Sequence, residues 1–224
     1  MTALVSLVLL GTTWAAEVQP RCDGVFVLIE RSAPELVRAA LTPATLDAPG
    51  TGACAKRTPL LAAAEWGRPE VVEVLLAMGA DVNFTVVERQ GPLQGRVTAE
   101  CLARANGHDA VGAMLRKRGA KDTRDGCLKR AALVAAVAAE DAVRLAKERK
   151  AGNRLPPAQL VSALKVTDCG AARGYCTELV RHLPKEPSEL RDQALDELET
   201  WVEVLPGLRE QLASLRRARD ARFR

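Results

Sequence analysis

The feature that most constrains this chain is an internal near-copy. Thr58 and Thr98, Gly67 and Gly107, and Gly79 and Gly119 are each 40 residues apart. Repetition over tens of residues means stacked supersecondary units, none of which can bury its apolar face alone. The aromatic content of 3% points the same way. Sandwiches, barrels and base-stacking platforms draw heavily on aromatic side chains.

Each copy reads as a pair of short helices. Thr58 can cap a helix with its side-chain oxygen, and Pro59 fits the first helical position, where a missing N–H costs nothing. Leu60, Ala63 and Ala64 give a small-residue packing face, and Gly67 ends the helix. Val71, Val72, Leu75 and Leu76 form the apolar stripe of a second helix, which Gly79 stops. The second copy keeps Thr98, Leu102, Ala103, Asn106-Gly107-His108, Val111, Met114, Leu115 and Gly119-Ala120.

These residues resemble the ankyrin repeat, whose pattern runs T-P-L-H, then paired alanines and valines, and closes on G-A-D-V-N. An ankyrin period is about 33 residues, so roughly seven are inserted between the copies. They must fall within 84–97, because the Thr-to-Gly spacings agree in both copies. Residues 25–41 read as a degenerate first repeat, and 131–152 as a degenerate fourth with Val143 and Leu145 on its second helix. A further helix pair is expected at 158–166 and 175–183. Beyond it, Leu190, Ala194, Leu198, Trp201, Leu205, Leu208, Leu212 and Leu215 form a heptad-like stripe interrupted by Pro206-Gly207. That stripe reads as a cap on the stack, with a docking face for a partner as the alternative. The expected fold is an all-α, ankyrin-type helical solenoid with short hairpins or loops and a C-terminal helical cap. Its divisions are 1–16, 17–126 (ankyrin repeats), 127–186 (degenerate helix pairs) and 187–224 (cap).

Residues 1–16 carry no charged side chain, and 3–10 form an apolar run of signal-peptide length, too short to span a bilayer. Small residues permit cleavage after Ala15; cleavage after Ala16 would place Trp14 awkwardly. No Lys or Arg precedes the run, and the alternative is an apolar element covering the first structural unit. Cys22 lacks a preceding lipobox. The chain has six cysteines and no C-x-x-C spacing, which favours disulfides over zinc knuckles or a thioredoxin-like site. A periplasmic or secreted protein is therefore expected; the alternative is a cytoplasmic adaptor with six reduced cysteines.

A net charge of +4 is thin for a nucleic-acid binder. The basic tail, Arg216, Arg217, Arg219, Arg222 and Arg224, reads as a solvated end, with a polyanion contact as the alternative. Only two histidines occur, and no nucleophile elbow, metalloprotease motif, P-loop or dinucleotide fingerprint is present. A non-enzymatic module is expected, with no cofactor, no metal, no nucleic acid and no stable membrane insertion after signal removal.

The ankyrin resemblance implies a protein partner bound by the concave face of the inner helices and by the hairpin tips. Carried over position by position, the candidates are Glu65 and Trp66 at one inner-helix end and Asn106 at the next. Arg57 and Gln94 lie beside the hairpins, and Phe84, Glu88, Arg89 and Gln90 lie in the inserted loop. Trp66 is the preferred anchor; its alternative is a structural ring folded onto residues 84–97. His108 is expected to be structural and His182 to lie on the surface. The family's T-P-L-H histidine is replaced by Leu61 and Cys101. Under the repeat alignment Cys22 and Cys54, Cys101 and Cys127, and Cys169 and Cys176 become neighbours. Each bridge would contribute about 2–4 kcal/mol. The function expected is binding of a protein partner, with an inhibitor of a secreted toxin as the alternative.

Overall fold

Short helices dominate because each unit carries its own start and stop signals. The computed structural model describes Cys22, residues 24–184 and 188–199, and positions 201, 205, 209, 212–214 and 217. The signal-like segment, Leu208, Leu215, the Pro206-Gly207 break and the last arginines (216, 219, 222 and 224) lie outside the described residues. Eleven α-helices and one hairpin are found among them: α1 Val25–Glu30, α2 Pro34–Ala40, α3 Pro59–Glu65, α4 Pro69–Ala77, β1 Val86–Glu88, β2 Gly95–Val97, α5 Ala99–Ala105, α6 Asp109–Lys117, α7 Cys127–Ala138, α8 Ala142–Lys150, α9 Pro157–Val166, α10 Arg173–Arg181 and α11 Glu189–Glu199. The protein is an all-α, ankyrin-type stack.

The two motif copies coincide element by element. Helices α3 and α4 become α5 and α6 when every bound is raised by 40. Thr58 Oγ1 accepts the Leu61 N–H at 3.4 Å, and Thr98 Oγ1 accepts the Cys101 N–H at 3.3 Å. Such caps contribute about 1 kcal/mol each. Gly67 turns at φ 62° and Gly107 at φ 78°, a left-handed backbone that L side chains rarely adopt. At Gly67 a side chain would also strike the His108 ring.

Helices α1, α3, α5 and α7 pack side by side as one layer; α2, α4 and α6 form the other. The turns are tied as well. Asp47 accepts the Asp81 N–H at 3.1 Å, and Asn83 accepts the Lys121 N–H at 2.9 Å while donating to the Gly119 carbonyl. The same side-chain device thus links successive units.

The inserted residues fold as a hairpin, β1 antiparallel to β2, with Val86 opposite Val97 and Glu88 opposite Gly95. It is held along its length. Arg130 Nη2 donates to the Arg96 carbonyl at 3.0 Å, and Asp125 Oδ2 accepts the Arg96 N–H at 3.0 Å. Gln159 Nε2 of α9 donates to the Pro92 carbonyl at 3.1 Å. The long loop expected at 84–97 is therefore a strap that reaches the next helix pairs.

Two apolar cores meet inside α7. Cys127 and Ala131 belong to the core that begins at Cys22, whereas Leu133 and Ala136 belong to the core that continues to Leu212. In the second core α10 packs on α8, and α11 packs on α9. Ala194, Leu198, Leu205 and Leu212 of the predicted stripe are buried, while Leu190 is exposed.

Candidate protein-binding surface

The inner helices α1, α3 and α5 end together, and their C-terminal ends bring the sequence candidates to one place. Arg57 stands one residue before the Thr58 cap, and Glu65 closes α3. Arg57 Nε donates to Glu65 Oε2 at 2.6 Å, and its Nη1 donates to Glu88 Oε1 of β1 at 2.5 Å. Burial would lower the Arg57 pKa, but the two carboxylates outweigh it and hold it above the usual value. Arg57 is only 18% exposed, so this cluster fixes the hairpin to α3 before any partner arrives.

Trp66 caps the C-terminus of α3, half-buried against the first core. With Glu65 it forms a wall shared by two open recesses. One, of about 530 Å³, is bounded by Cys22, Cys54, Lys56, Arg57 and Glu88. The other, of about 340 Å³, is bounded by Glu30, Arg68, Asn106 and His108. Asn106 is exposed; its side-chain amide donates to the Leu102 carbonyl at 2.9 Å, closing α5.

The remaining candidates separate. Phe84 is half-buried and packs on the first core, whereas Arg89 and Gln94 are exposed on the hairpin away from its fixed strands. Trp66, Glu65, Arg57 and Asn106 thus converge, and Phe84 is drawn inward.

Each of the three cysteine pairs lies at disulfide distance. The Cα–Cα separations are 5.5 Å for Cys22 and Cys54, 5.9 Å for Cys101 and Cys127, and 5.6 Å for Cys169 and Cys176. These values suit a disulfide. Cys22 and Cys54 stand beside the larger recess, and the Cys54 carbonyl accepts the Arg57 N–H at 2.8 Å. The bond site is thereby coupled to the charged cluster.

His182 corrects an expectation. It is 1% exposed, not on the surface. Its Nδ1 accepts the Leu155 N–H at 3.2 Å and its Nε2 faces the Leu145 carbonyl at 3.3 Å. The end of α10 packs against α8 and the loop that follows it, which traps the ring between helices. Burial lowers its pKa below the ordinary value, with the neighbouring Arg154 and Arg149 acting in the same sense against Glu178 and the Leu145 hydrogen bond.

Two buried carboxylates were not anticipated. Glu100 is fully buried and receives Arg116 Nε at 2.9 Å and Arg104 Nε at 3.4 Å. Glu178 is 3% exposed; it accepts a short hydrogen bond from Arg149 and another from Arg181 at 3.1 Å. Burial would raise the Glu178 pKa, but the two guanidinium groups hold it below the usual carboxylate range. Aligning the two copies gives the missing signal for Glu100, since the matching position is the core residue Leu60.

Among the described residues no group of His, Cys, Asp and Glu is placed to hold a metal ion. No described helix is long and apolar enough to cross a membrane.

The ankyrin-repeat family profile matches residues 56–85. The chain carries an ankyrin repeat. The matched span runs from Lys56 through α3 and α4 to the foot of the hairpin, so it holds Arg57, Glu65, Trp66 and Phe84. Ankyrin repeats are non-enzymatic interaction modules that bind protein partners. No curated protein matches the chain.

Proposed function

We propose that this ankyrin-repeat protein is exported to the periplasm or beyond the cell, and there holds a protein partner against the ends of its inner helices. The observation that carries the reading is the position of Trp66. Its ring stands between two open recesses and is backed by a charged cluster already satisfied within the fold. A half-buried tryptophan on a rigid support loses little conformational freedom on binding and desolvates a large area, which makes it an efficient anchor. Asn106, Arg89 and Gln94 extend the contact toward the third repeat and the hairpin. The three cysteine pairs support an oxidising compartment, with all six thiols joined as disulfides.

Affinity capture from the native host with full-length protein tests the anchor. Trp66→Ala is expected to keep the wild-type melting temperature within a few degrees and to weaken partner binding by more than about tenfold. Unchanged capture by the Trp66→Ala protein would overturn the reading. Mass spectrometry of the mature amino terminus tests export; a chain beginning at Met1 with free thiols throughout would refute it.

A further inference from the structure

The hairpin is covered along one edge only. On β2, Arg96 turns its N–H to Asp125 and its carbonyl to Arg130, so its main-chain groups point away from β1. Arg96 stands opposite Val87. Both main-chain groups of a strand residue face the same way, so Arg96 and Val87 form a non-hydrogen-bonded pair. The Val87 N–H and carbonyl therefore point outward on the far side of β1. They meet no partner there among the described residues, and neither do the main-chain groups of Thr85 and Arg89. Exposure alternates along the same stretch: Thr85, Val87 and Arg89 are exposed, whereas Phe84, Val86 and Glu88 are half-buried. Alternate residues of a strand share a face and an edge. A row of unpaired N–H and C=O groups is a template for another strand.

The surroundings of this edge carry unanswered positive charge. Val87 is 56% exposed, and Arg89 and its cross-strand neighbour Arg96 share its face. Neither arginine has a carboxylate at ion-pair distance among the described residues, and nor does Lys56. Glu65 and Glu88, the nearby acids, are both engaged by Arg57. Glu88 projects from the other face of β1 and lines the 530 Å³ recess together with Lys56 and Trp66.

We propose that an extended, acidic segment of the protein partner adds to β1 as a third strand of this sheet. The proposal rests on the reading that this end of the stack holds a protein, and it names the form that protein presents. Main-chain bonds to Thr85, Val87 and Arg89 supply affinity that is indifferent to side chains, and alternate side chains supply specificity. An apolar residue lies beside Val87 and a carboxylate beside Arg89 on one face. Side chains on the other face turn toward Lys56 and Trp66 in the recess. A second copy of this chain is the poorer occupant, because edge-to-edge pairing would bring two sets of unpaired arginines together.

Random peptides displayed on phage and selected on the full-length protein test this. The selected peptides are expected to carry carboxylates among alternating apolar residues. Binding of such a peptide is expected to slow hydrogen exchange of the Val87 amide by more than about tenfold. Val87→Pro deletes only the outward N–H, at a position where an edge strand tolerates proline. It is expected to melt within a few degrees of wild type and to weaken peptide binding by more than about tenfold. Val87→Thr keeps the N–H and is expected to bind within about threefold of wild type. Arg89→Glu, which leaves the backbone intact, is expected to weaken binding by about tenfold. No selected peptide, peptides without acidic residues, an unprotected Val87 amide, pairing of β1 with a second copy or with the protein's own chain, or full binding by Val87→Pro would each overturn the proposal. Capture from the native host separates the two readings: a partner kept by Val87→Pro and lost by Trp66→Ala would overturn strand addition and leave the Trp66 anchor standing.

Discussion

The helix pairs α3–α4 and α5–α6 share one backbone and differ in what fills it. Raising each number by 40 turns Leu60, Ala64 and Leu76 into Glu100, Arg104 and Arg116. The first set is an apolar cluster in or against the core. The second is a buried carboxylate with two guanidinium partners. The opposite exchange occurs at neighbouring positions of the same units, where Arg57 and Glu65 become the core residues Val97 and Ala105. Caps and turn glycines therefore specify the unit, and its interior accepts either chemistry provided every buried charge finds a partner. The ionic version also reaches outward. Arg104 Nη1 bonds Asp109 at 3.2 Å, and Asp109 bonds Arg144 of α8 at 3.2 Å, which ties α5 and α6 to α8.

The most severe way to break this comparison is Leu60→Glu. It places a carboxylate where only Leu76 and Ala64 could answer it, and a loss of about 3–5 kcal/mol is expected. Urea denaturation measures it; a loss below about 1 kcal/mol would mean that the two interiors are not distinct. The converse exchange, Glu100→Leu with Arg116→Leu, is expected to stay within about 1 kcal/mol of wild type or to be more stable. Arg116→Leu alone is expected to be worse than the double variant, because it leaves the buried Glu100 with Arg104 only.

Arg57→Ala sharpens the comparison at the binding end. It strands two part-buried carboxylates and releases the hairpin from α3, and a loss of about 1–3 kcal/mol is expected. Hydrogen exchange of the Val86–Glu88 amides should rise with it; protection equal to wild type would separate the cluster from the hairpin.

Acid acts on the second core. His182 has a folded pKa below its ordinary value, so the unfolded chain binds the proton more readily. Its contribution is complete above the unfolded value of about 6.5 and declines as pH falls toward the folded one. Glu178, also held low, adds a loss below about pH 4.5. Melting at pH 7 and pH 5 is expected to show a decrease that His182→Gln diminishes; a pH-independent melt in this range would refute the buried histidine bridge. The smallest effect belongs to the caps. Thr58→Ala and Thr98→Ala are each expected to cost about 1 kcal/mol, and to cost the same, if the two backbones are equivalent.

The element order was legible because its signals are local. Thr58, Pro59, Gly67, Gly79 and their partners 40 residues on act within one turn of chain, so the helix pairs can be read off before any packing is known. The candidate site was legible in part. Arg57, Glu65, Trp66 and Asn106 converge as the repeat alignment implied, yet nothing in the sequence assigned Glu88 to Arg57, since hairpin register decides which strand residue faces α3. Likewise His182 could not be told from a surface histidine, because its burial depends on how the end of α10 meets α8 and Leu155.

Spacing, capping residues and turn glycines thus determined by themselves that this chain is a stack of paired helices, since those choices are made by neighbours along the backbone. The docking of the hairpin on α7 and α9, and the partners of Glu100 and Glu178, were decided only when the helices packed. Each depends on groups tens of residues apart, whose distance and desolvation do not exist until the stack has closed.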